Sequence, residues 1–103
     1  MLTQGVREAE RQGPGLHAAT LTNLGIAYGS LGDAAKTRDL LERALEIDER
    51  EYGRDHREVA ITLANLGNAY GCLGDAAKKR DMLERALEIN VREYGREIGR
   101  AHV

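Results

Sequence analysis

The chain has 103 residues, a net charge of −2, four tyrosines, no tryptophan or phenylalanine, and one cysteine. This length suits a single domain, and the shortage of aromatic residues favours closely packed helices over a sheet core. The charge excludes the basic surface of a nucleic-acid-binding protein, and no apolar run reaches the roughly 18 residues of a membrane span. With one cysteine no intrachain disulfide forms, and we expect a reduced, cytoplasmic location without a membrane partner.

A short helix is predicted from Leu2 to Gln12, although Gly5 weakens it. Gly13-Pro14-Gly15 interrupts the chain, because glycine and proline both disfavour regular structure. The first clean helix is predicted from Leu16 to Leu31. Its apolar residues recur at three- and four-residue intervals and predict one buried stripe, formed by Leu21, Leu24, Ala27, Tyr28 and Leu31.

Gly32 and Asp33 separate this helix from the next, since glycine suits the left-handed position after a helix and aspartate caps a helix start. The second helix is predicted from Ala34 to Tyr52 and ends at Gly53. Its inner stripe consists of Leu41, Ala44, Leu45 and Tyr52. The stripe is flanked by two apolar residues that a neighbouring unit can cover, Leu40 and Ile47.

The linker over residues 54–57 is predicted to start the third helix through a capping box of Asp55 and Glu58. The third helix is predicted from Arg57 to Leu73 and the fourth from Ala76 to Tyr94. Three residues should bound these helices as their upstream counterparts do: Gly74, Asp75 and Gly95. Four charge pairs are predicted one helical turn apart, namely Asp39–Arg43, Glu46–Arg50, Asp81–Arg85 and Glu88–Arg92.

The two halves of the chain are copies of each other. Each residue from Ala18 to Arg54 pairs with the residue 42 positions later, and 29 of these 37 pairs are identical without a gap. Such a match indicates a duplicated helical hairpin, a unit that stacks into a solenoid and usually serves as a binding surface. We predict one all-α solenoid domain over residues 1–103, with an N-terminal helical segment (1–15), two repeats (16–56 and 57–97) and a tail (98–103).

The repeated unit resembles the tetratricopeptide repeat. The residues that carry the resemblance in the second copy are Leu63, Leu66, Gly67, Tyr70, Gly74, Asp75, Leu83 and Ala86. The first copy has Leu21, Leu24, Gly25, Tyr28, Gly32, Asp33, Leu41 and Ala44. In this unit Gly25 and Gly67 let two helices approach closely, and each tyrosine fills the gap between hairpins.

The long period and the segment EREYGRDHREVA resemble the extended repeats of kinesin light chains, whose second helix is longer than usual. The family has a small residue where the second helix crosses the first, whereas this chain has Thr37 and Lys79. A lysine can lay its stem along an interface and keep its ammonium group in water. We therefore expect looser packing in the second repeat.

Four of the eight mismatched pairs fall on one face of the first helix of each repeat, because their spacing is 3, 4 and 4 residues. They are Ala19/Ile61, Thr22/Ala64, Ile26/Asn68 and Ser30/Cys72. In the tetratricopeptide family this face lines a concave groove that holds peptides. Two interpretations are open: variation there tunes the choice of partner, or these positions drift because they lack a packing partner.

Asn23 and Asn65 are identical in the two copies, and their placement resembles the asparagine ladder that holds a peptide backbone in kinesin-light-chain-like repeats. One side-chain amide offers both a donor and an acceptor. The alternative is a hydrogen bond across the hairpin within the chain. Gly29 and Gly71 border the groove and let a ligand backbone come close. The predicted peptide-binding residues are Thr22, Asn23, Ile26, Ser30, Ile61, Ala64, Asn65, Asn68 and Cys72.

Nothing in the sequence predicts catalysis. His17, His56 and His102 have no metal-ligand spacing to one another or to Cys72. The glycines are placed as helix ends or close-packing points rather than as a phosphate loop. We therefore expect no enzyme activity, no metal, no cofactor and no nucleic-acid partner.

The function predicted from the sequence is a protein–protein interaction module that binds an extended peptide or a partner helix. The alternatives are a self-assembling structural repeat and a fragment of a longer solenoid scaffold. The second repeat is predicted to leave two residues on an uncovered outer flank, Met82 and Ile89. The N-terminal segment adds only a thin lid, made of Leu2, Val6 and Ala9. Self-association follows from this interpretation, as a homodimer or a head-to-tail stack.

Overall fold

The computed structural model describes residues 14–101, so the predicted helix over residues 2–12 lies outside the described range. Four helices follow one another within this range: α1 (Pro14–Ser30), α2 (Ala34–Tyr52), α3 (Arg57–Cys72) and α4 (Ala76–Ala101). No strand occurs among the described residues. Since α1 packs on α2, α3 on α4, and α2 on α3, two helical hairpins stack side by side. The predicted all-α repeat architecture is confirmed.

Both hairpins turn at the predicted glycine–aspartate pairs. Gly32 and Gly74 have φ angles of 84° and 88°, in the left-handed region that favours glycine. Asp33 caps α2, because its carboxylate accepts a hydrogen bond from the backbone N–H three residues later at 3.1 Å. Asp75 caps α4 in the same way at 3.0 Å. The repeated sequence thus produces the same local structure twice.

The linker between the hairpins differs from the prediction at its cap. His56 caps α3, since its Nδ1 accepts a hydrogen bond from the N–H of Glu58 at 3.0 Å. The imidazole also stacks on the ring of Tyr52, with 4.6 Å between the ring centroids. The predicted capping box of Asp55 is wrong, because its carboxylate pairs instead with Arg92 of α4 at 3.1 Å.

The predicted end of the fourth helix at Gly95 is also wrong, because α4 continues to Ala101. Gly53 ends α2 with a φ angle of 87°, and its N–H donates to the carbonyl of Glu49 at 3.0 Å. The chain leaves α2 there because His56 starts a new helix. No such cap follows Gly95 in the described part of α4, and an interior glycine costs a helix only about 1 kcal/mol relative to alanine.

Some charged side chains make contacts between the two repeats instead of the predicted pairs within one helix. Of the four expected pairs within helices, Glu46–Arg50 alone forms, at 3.1 Å. Arg85 of α4 instead reaches the carboxylate of Glu49 at 3.5 Å and donates to the carbonyl of Arg54 at 3.2 Å. Two aspartates pair with the arginine immediately before them, Asp39 and Asp81. The expected partners are lost because contacts between helices and neighbouring side chains compete with the weak pairs along one helix.

The core that the described residues form consists of three groups of buried side chains. The group inside the first hairpin contains Ala18, Leu21 and Ala44. The group inside the second hairpin contains Val59, Ala60, Leu63, Ala86 and Ile89. The third group joins the hairpins, because Leu41 of α2 is fully buried against Leu66 and Tyr70 of α3. Complete burial of a leucine side chain stabilises a fold by about 1.5–3 kcal/mol relative to exposure.

Three residues assigned to the predicted inner stripes are exposed. Leu31 is 80% exposed because it lies in the turn beyond the last residue of α1, and Tyr52 lies in the last turn of α2. Ala27 of α1 is exposed although its counterpart Ala69 is buried. The difference arises because α3 has a packed helix on either side, α2 and α4, and these neighbours cover Ala69. Within the described residues α1 packs mainly on α2, and Ala27 stays exposed.

The predicted outer flank of the second repeat is wrong. Ile89 is 1% exposed and lies inside the second hairpin, where Met82 packs beside it. Their counterparts pack inside the first hairpin in the same way, Leu40 and Ile47. The exposed apolar face of α4 is formed instead by Leu87, Val91 and Tyr94. A helix with two packed neighbours has two apolar stripes, and periodicity alone does not tell which one its own hairpin covers.

Close approach of the helices depends on glycines, as predicted. A Cβ atom at Gly25 would lie 3.3 Å from a leucine side chain of α2, and one at Gly67 would lie 3.3 Å from the carbonyl oxygen of Lys79. The buried hydroxyl of Thr37 donates to the carbonyl of Gly25 at 2.8 Å. Lys79 is exposed, and its stem lies across Gly71. The looser packing expected around Lys79 stays a prediction.

Tyr70 carries a polar contact across the junction between the hairpins. Its hydroxyl donates to the carboxylate of Glu42 on α2, and the ammonium group of Lys78 lies 4.8 Å from the centre of its ring. Burial, and then this hydrogen bond, raise the pKa of Tyr70 to about 12. The counterpart Tyr28 is half-buried, and among the described residues its hydroxyl has no hydrogen-bond partner.

We expect Tyr70→Phe to lower the free energy of unfolding by about 0.5–1.5 kcal/mol, because the ring stays and one hydrogen bond is lost. Tyr28→Phe is the matched control and should change this free energy by less than about 0.5 kcal/mol. Urea denaturation followed by circular dichroism measures both variants. Equal losses in the two would contradict the assignment of this hydrogen bond to the junction.

Candidate functional site

Two depressions lie between the hairpins and together form one groove. The first has a volume of about 220 Å³ and is lined by Ile26, Gly29, Gly32, Ala34, Thr37, Leu41, Asn65, Asn68, Ala69 and Cys72. The second has a volume of about 400 Å³ and is lined by Ala19, Thr22, Asn23, Ile26, Asp48, Tyr52, Glu58, Ile61, Thr62 and Asn65. Because Ile26 and Asn65 line both depressions, the groove is continuous across them.

The groove follows from helical periodicity on α1 and α3. The α3 side contributes residues at intervals of four, three and four, and these lie along one face of the helix: Ile61, Asn65, Asn68 and Cys72. The α1 side contributes the counterparts of the first three in the same register, Ala19, Asn23 and Ile26. The junction between α2 and α3 fixes the position of α3. It therefore also fixes how the groove face of α3 lies relative to the groove face of α1.

Seven of the nine predicted peptide-binding residues line the groove: Thr22, Asn23, Ile26, Ile61, Asn65, Asn68 and Cys72. Ser30 is turned to its own helix, because its hydroxyl donates to the carbonyl of Ile26 at 3.3 Å. Ala64 packs against the core of the second hairpin. Its counterpart Thr22 lines the groove. The two positions differ because α3, unlike α1 in the described range, has a packed helix on either side.

The asparagine amides are available to a ligand. Asn23 is exposed and Asn65 is half-buried, and neither amide is hydrogen-bonded to another residue within the described range. The structure therefore does not contain the hydrogen bond across the hairpin that was the alternative interpretation. Each amide can donate and accept at the same time, as a peptide unit requires.

The two glycines expected to border the groove differ in accessibility. Gly29 lines the first depression. Gly71 is covered, because a Cβ atom placed there would lie only 2.6 Å from the Cδ atom of Lys79. A ligand backbone can therefore approach closely at Gly29, whereas the lysine stem occupies the corresponding space in the second repeat. The difference arises from the Thr37/Lys79 mismatch between the copies.

Asp48 is a groove residue that the sequence interpretation missed. It is 5% exposed, and its carboxylate accepts a hydrogen bond from the hydroxyl of Thr62 at 2.7 Å. Burial raises the pKa of Asp48 and nearby Glu58 adds to the rise, whereas the hydrogen bond from Thr62 and the imidazole of His56 oppose it. The mismatch between Asp48 and its counterpart Asn90 is the sequence signal that could have identified this residue. It lies on α2, however, whereas the predicted groove face lies on the first helix of each repeat.

The groove differs in polarity from one end to the other. The second depression holds the carboxylates of Asp48 and Glu58 beside the ring of Tyr52. The first depression is mostly apolar and contains the free thiol of Cys72. No lysine or arginine of the described residues lines either depression. The arrangement can bind groups by hydrogen bonds and apolar contact, with a negative field at one end.

No group of histidine, cysteine, aspartate or glutamate side chains between residues 14 and 101 has the arrangement of a metal site. Over the same range, no helix is long and apolar enough to cross a membrane.

The comparison with protein families gives a match to the tetratricopeptide repeat over residues 16–90. This range contains α2, α3 and most of α1 and α4, and with them every residue that lines the groove. The comparison with curated proteins gives no match.

We expect Asp48→Asn to raise the free energy of unfolding at neutral pH, because the amide oxygen still accepts from Thr62 and no charge is buried. The raised pKa of Asp48 means that its protonated form favours the folded state. This contribution is complete below the ordinary pKa of aspartate and is lost as the pH rises through the folded-state pKa. The advantage of the variant should therefore shrink on acidification.

Urea denaturation of both proteins between pH 3.5 and pH 7 measures this difference, and Asp81→Asn serves as an exposed control. A variant less stable than the parent at neutral pH would show that the charged hydrogen bond outweighs the cost of burial.

Proposed function

Because the chain belongs to the tetratricopeptide repeat family, whose members serve as protein–protein interaction modules, we propose that its groove binds an extended peptide of a partner protein. The observation that carries this proposal is the pair of free amides on Asn23 and Asn65, which line one continuous groove. They occupy equivalent positions in the two repeats, so they offer the same hydrogen-bonding group twice along the path of a peptide.

The backbone of the peptide is recognised by these amides, and its side chains by the two depressions. The first depression suits an apolar side chain, since Ile26, Leu41 and Ala69 line it. The second suits a positively charged or hydrogen-bond-donating side chain, because Asp48 and Glu58 lie there. A peptide with one residue of each kind, a few positions apart, fits this pattern.

The proposal has three further parts: the type of repeat, the absence of catalysis and the compartment. α2 has 19 residues, which agrees with the long second helix of the extended repeats of kinesin light chains. Tetratricopeptide repeats are typically non-enzymatic scaffolds, and we propose the same role here. The one cysteine of the chain is a free thiol, which fits a reducing, cytoplasmic compartment.

A second candidate function is structural self-association. The observation that favours it is the exposed apolar face of α4, where Leu87, Val91 and Tyr94 are 62%, 60% and 65% exposed. Adjacent exposed apolar residues mark interaction surfaces more often than isolated ones do. This face is separate from the groove, because no described residue of α4 lines either depression.

We expect Asn23→Ala and Asn65→Ala each to weaken peptide binding by about 1–2 kcal/mol, or roughly five- to thirtyfold in affinity. A fluorescent peptide selected from a display library against the unmodified chain is the probe, and fluorescence anisotropy measures its dissociation constant. Asn90→Ala on α4 is the matched control and should leave the affinity unchanged.

Unchanged affinity in both groove variants, with helicity intact, would contradict the proposed role of the amides. Equal weakening by Asn90→Ala would place the peptide outside the groove.

A further inference from the structure

The surface of α2 that binds the second hairpin occurs again on α4. Leu41 and Leu45 of α2 correspond to Leu83 and Leu87 of α4, because the repeats are offset by 42 residues. Leu41 is fully buried by α3, and Leu45 packs against the core of the second hairpin. Leu83 is only partly buried, however, and Leu87 is 62% exposed. The structure thus covers one copy of this surface and leaves the other open.

The surface of α3 that covers α2 likewise occurs again on α1. Leu66 and Tyr70 of α3 pack against Leu41. Their counterparts on α1 are Leu24 and Tyr28, and both are half-buried where Leu66 and Tyr70 are buried. We call the repeated surface of α4 the end face and the repeated surface of α1 the front face. Each has the composition of one side of the junction already present between the hairpins.

The hydrogen bonds of the junction have matching donors and acceptors on these two faces. Within the chain, Tyr70 donates to Glu42 and Thr62 donates to Asp48. The counterparts of the two donors are on the front face, Tyr28 and Thr20. The counterparts of the two acceptors are on the end face, Glu84 and Asn90, and both are exposed. An amide oxygen accepts from a hydroxyl as a carboxylate does, so the exchange of aspartate for asparagine preserves the pairing.

One ion pair of the junction has no counterpart, and its loss does not oppose the contact. Glu49 pairs with Arg85 inside the chain. The corresponding residues are Val91 on the end face and Arg43, which is exposed on α2. Val91 can pack against the stem of such an arginine while the guanidinium group stays in water. The charge of Arg43 is therefore not buried without a partner.

We propose that copies of this chain stack head to tail, with the front face of one copy covering the end face of the next. The contact repeats the α2–α3 junction between two molecules. It joins different surfaces of the two copies, so it extends into a row and does not close as a symmetric dimer. This inference develops the second candidate function and is independent of peptide binding in the groove.

Two variants that each block one face test the proposal. Leu87→Arg places a charge in the end face. Tyr28→Glu places a carboxylate in the front face opposite Glu84 of the next copy, and Lys36, whose ammonium group lies 5.1 Å from the ring of Tyr28, can pair with it in the free chain. Leu31→Arg is the matched control, because Leu31 is exposed and lies outside both faces. Sedimentation velocity of the full chain, without peptide, gives the masses over a hundredfold range of concentration.

The parent chain and Leu31→Arg should increase in mass with concentration past that of a dimer. Leu87→Arg and Tyr28→Glu should each remain monomeric alone. An equimolar mixture of the two should form dimers, because one intact front face meets one intact end face. Circular dichroism checks that each variant is folded; if Tyr28→Glu loses helicity, Thr20→Lys replaces it on the same face.

A parent chain that stays monomeric throughout would overturn the proposal. Assembly of Tyr28→Glu alone, with Leu87→Arg monomeric, would also overturn it, since the end faces would then pair with each other. Failure of peptide binding in the groove leaves all these results unaffected.

Discussion

A helical hairpin of this kind has an apolar face that its own two helices cannot cover, and the rest of the structure depends on that constraint. Leu41 of α2 is fully buried, and Leu66 and Tyr70 of α3 lie on it. Two polar contacts accompany this apolar contact, the hydrogen bond from Tyr70 to Glu42 and the ion pair of Arg85 with Glu49. They require a specific geometry that apolar packing does not. Apolar burial provides most of the stabilisation, and the polar contacts determine the register.

The groove is a consequence of the same junction. Packing of α3 on α2 places the outer faces of α1 and α3 beside each other, so that Asn23 and Asn65 line one surface. Asp48 belongs to both the junction and the groove. Its carboxylate accepts a hydrogen bond from Thr62 across the junction, and the residue also lines the groove. A ligand that contacts this end of the groove therefore also contacts the residues that join the hairpins, and its binding stabilises the folded state.

Much of this arrangement could be predicted from the sequence, because short-range signals determine it. The bounds of α2 were correct, since Asp33 caps its start and Gly53 turns the chain at its end. Helical spacing also identified seven of the residues that line the groove. The predicted helix end at Gly95 is wrong because a glycine inside a helix costs only about 1 kcal/mol and does not by itself end the helix. The prediction placed Ile89 on the wrong side of α4. The two apolar stripes of this helix differ only in the elements that cover them, and the spacing of apolar residues carries no information about those elements.

We conclude that the α2–α3 junction makes the two hairpins one cooperative unit and thereby builds the groove. Native-state hydrogen exchange of the backbone amides tests this claim most directly, because it measures the opening free energy of each helix separately. We expect the central amides of α2 and α3 to share one opening free energy, the largest in the molecule, and the turns of α4 beyond Gly95 to open at a lower one. Distinct opening free energies for the α1–α2 and α3–α4 hairpins would contradict it.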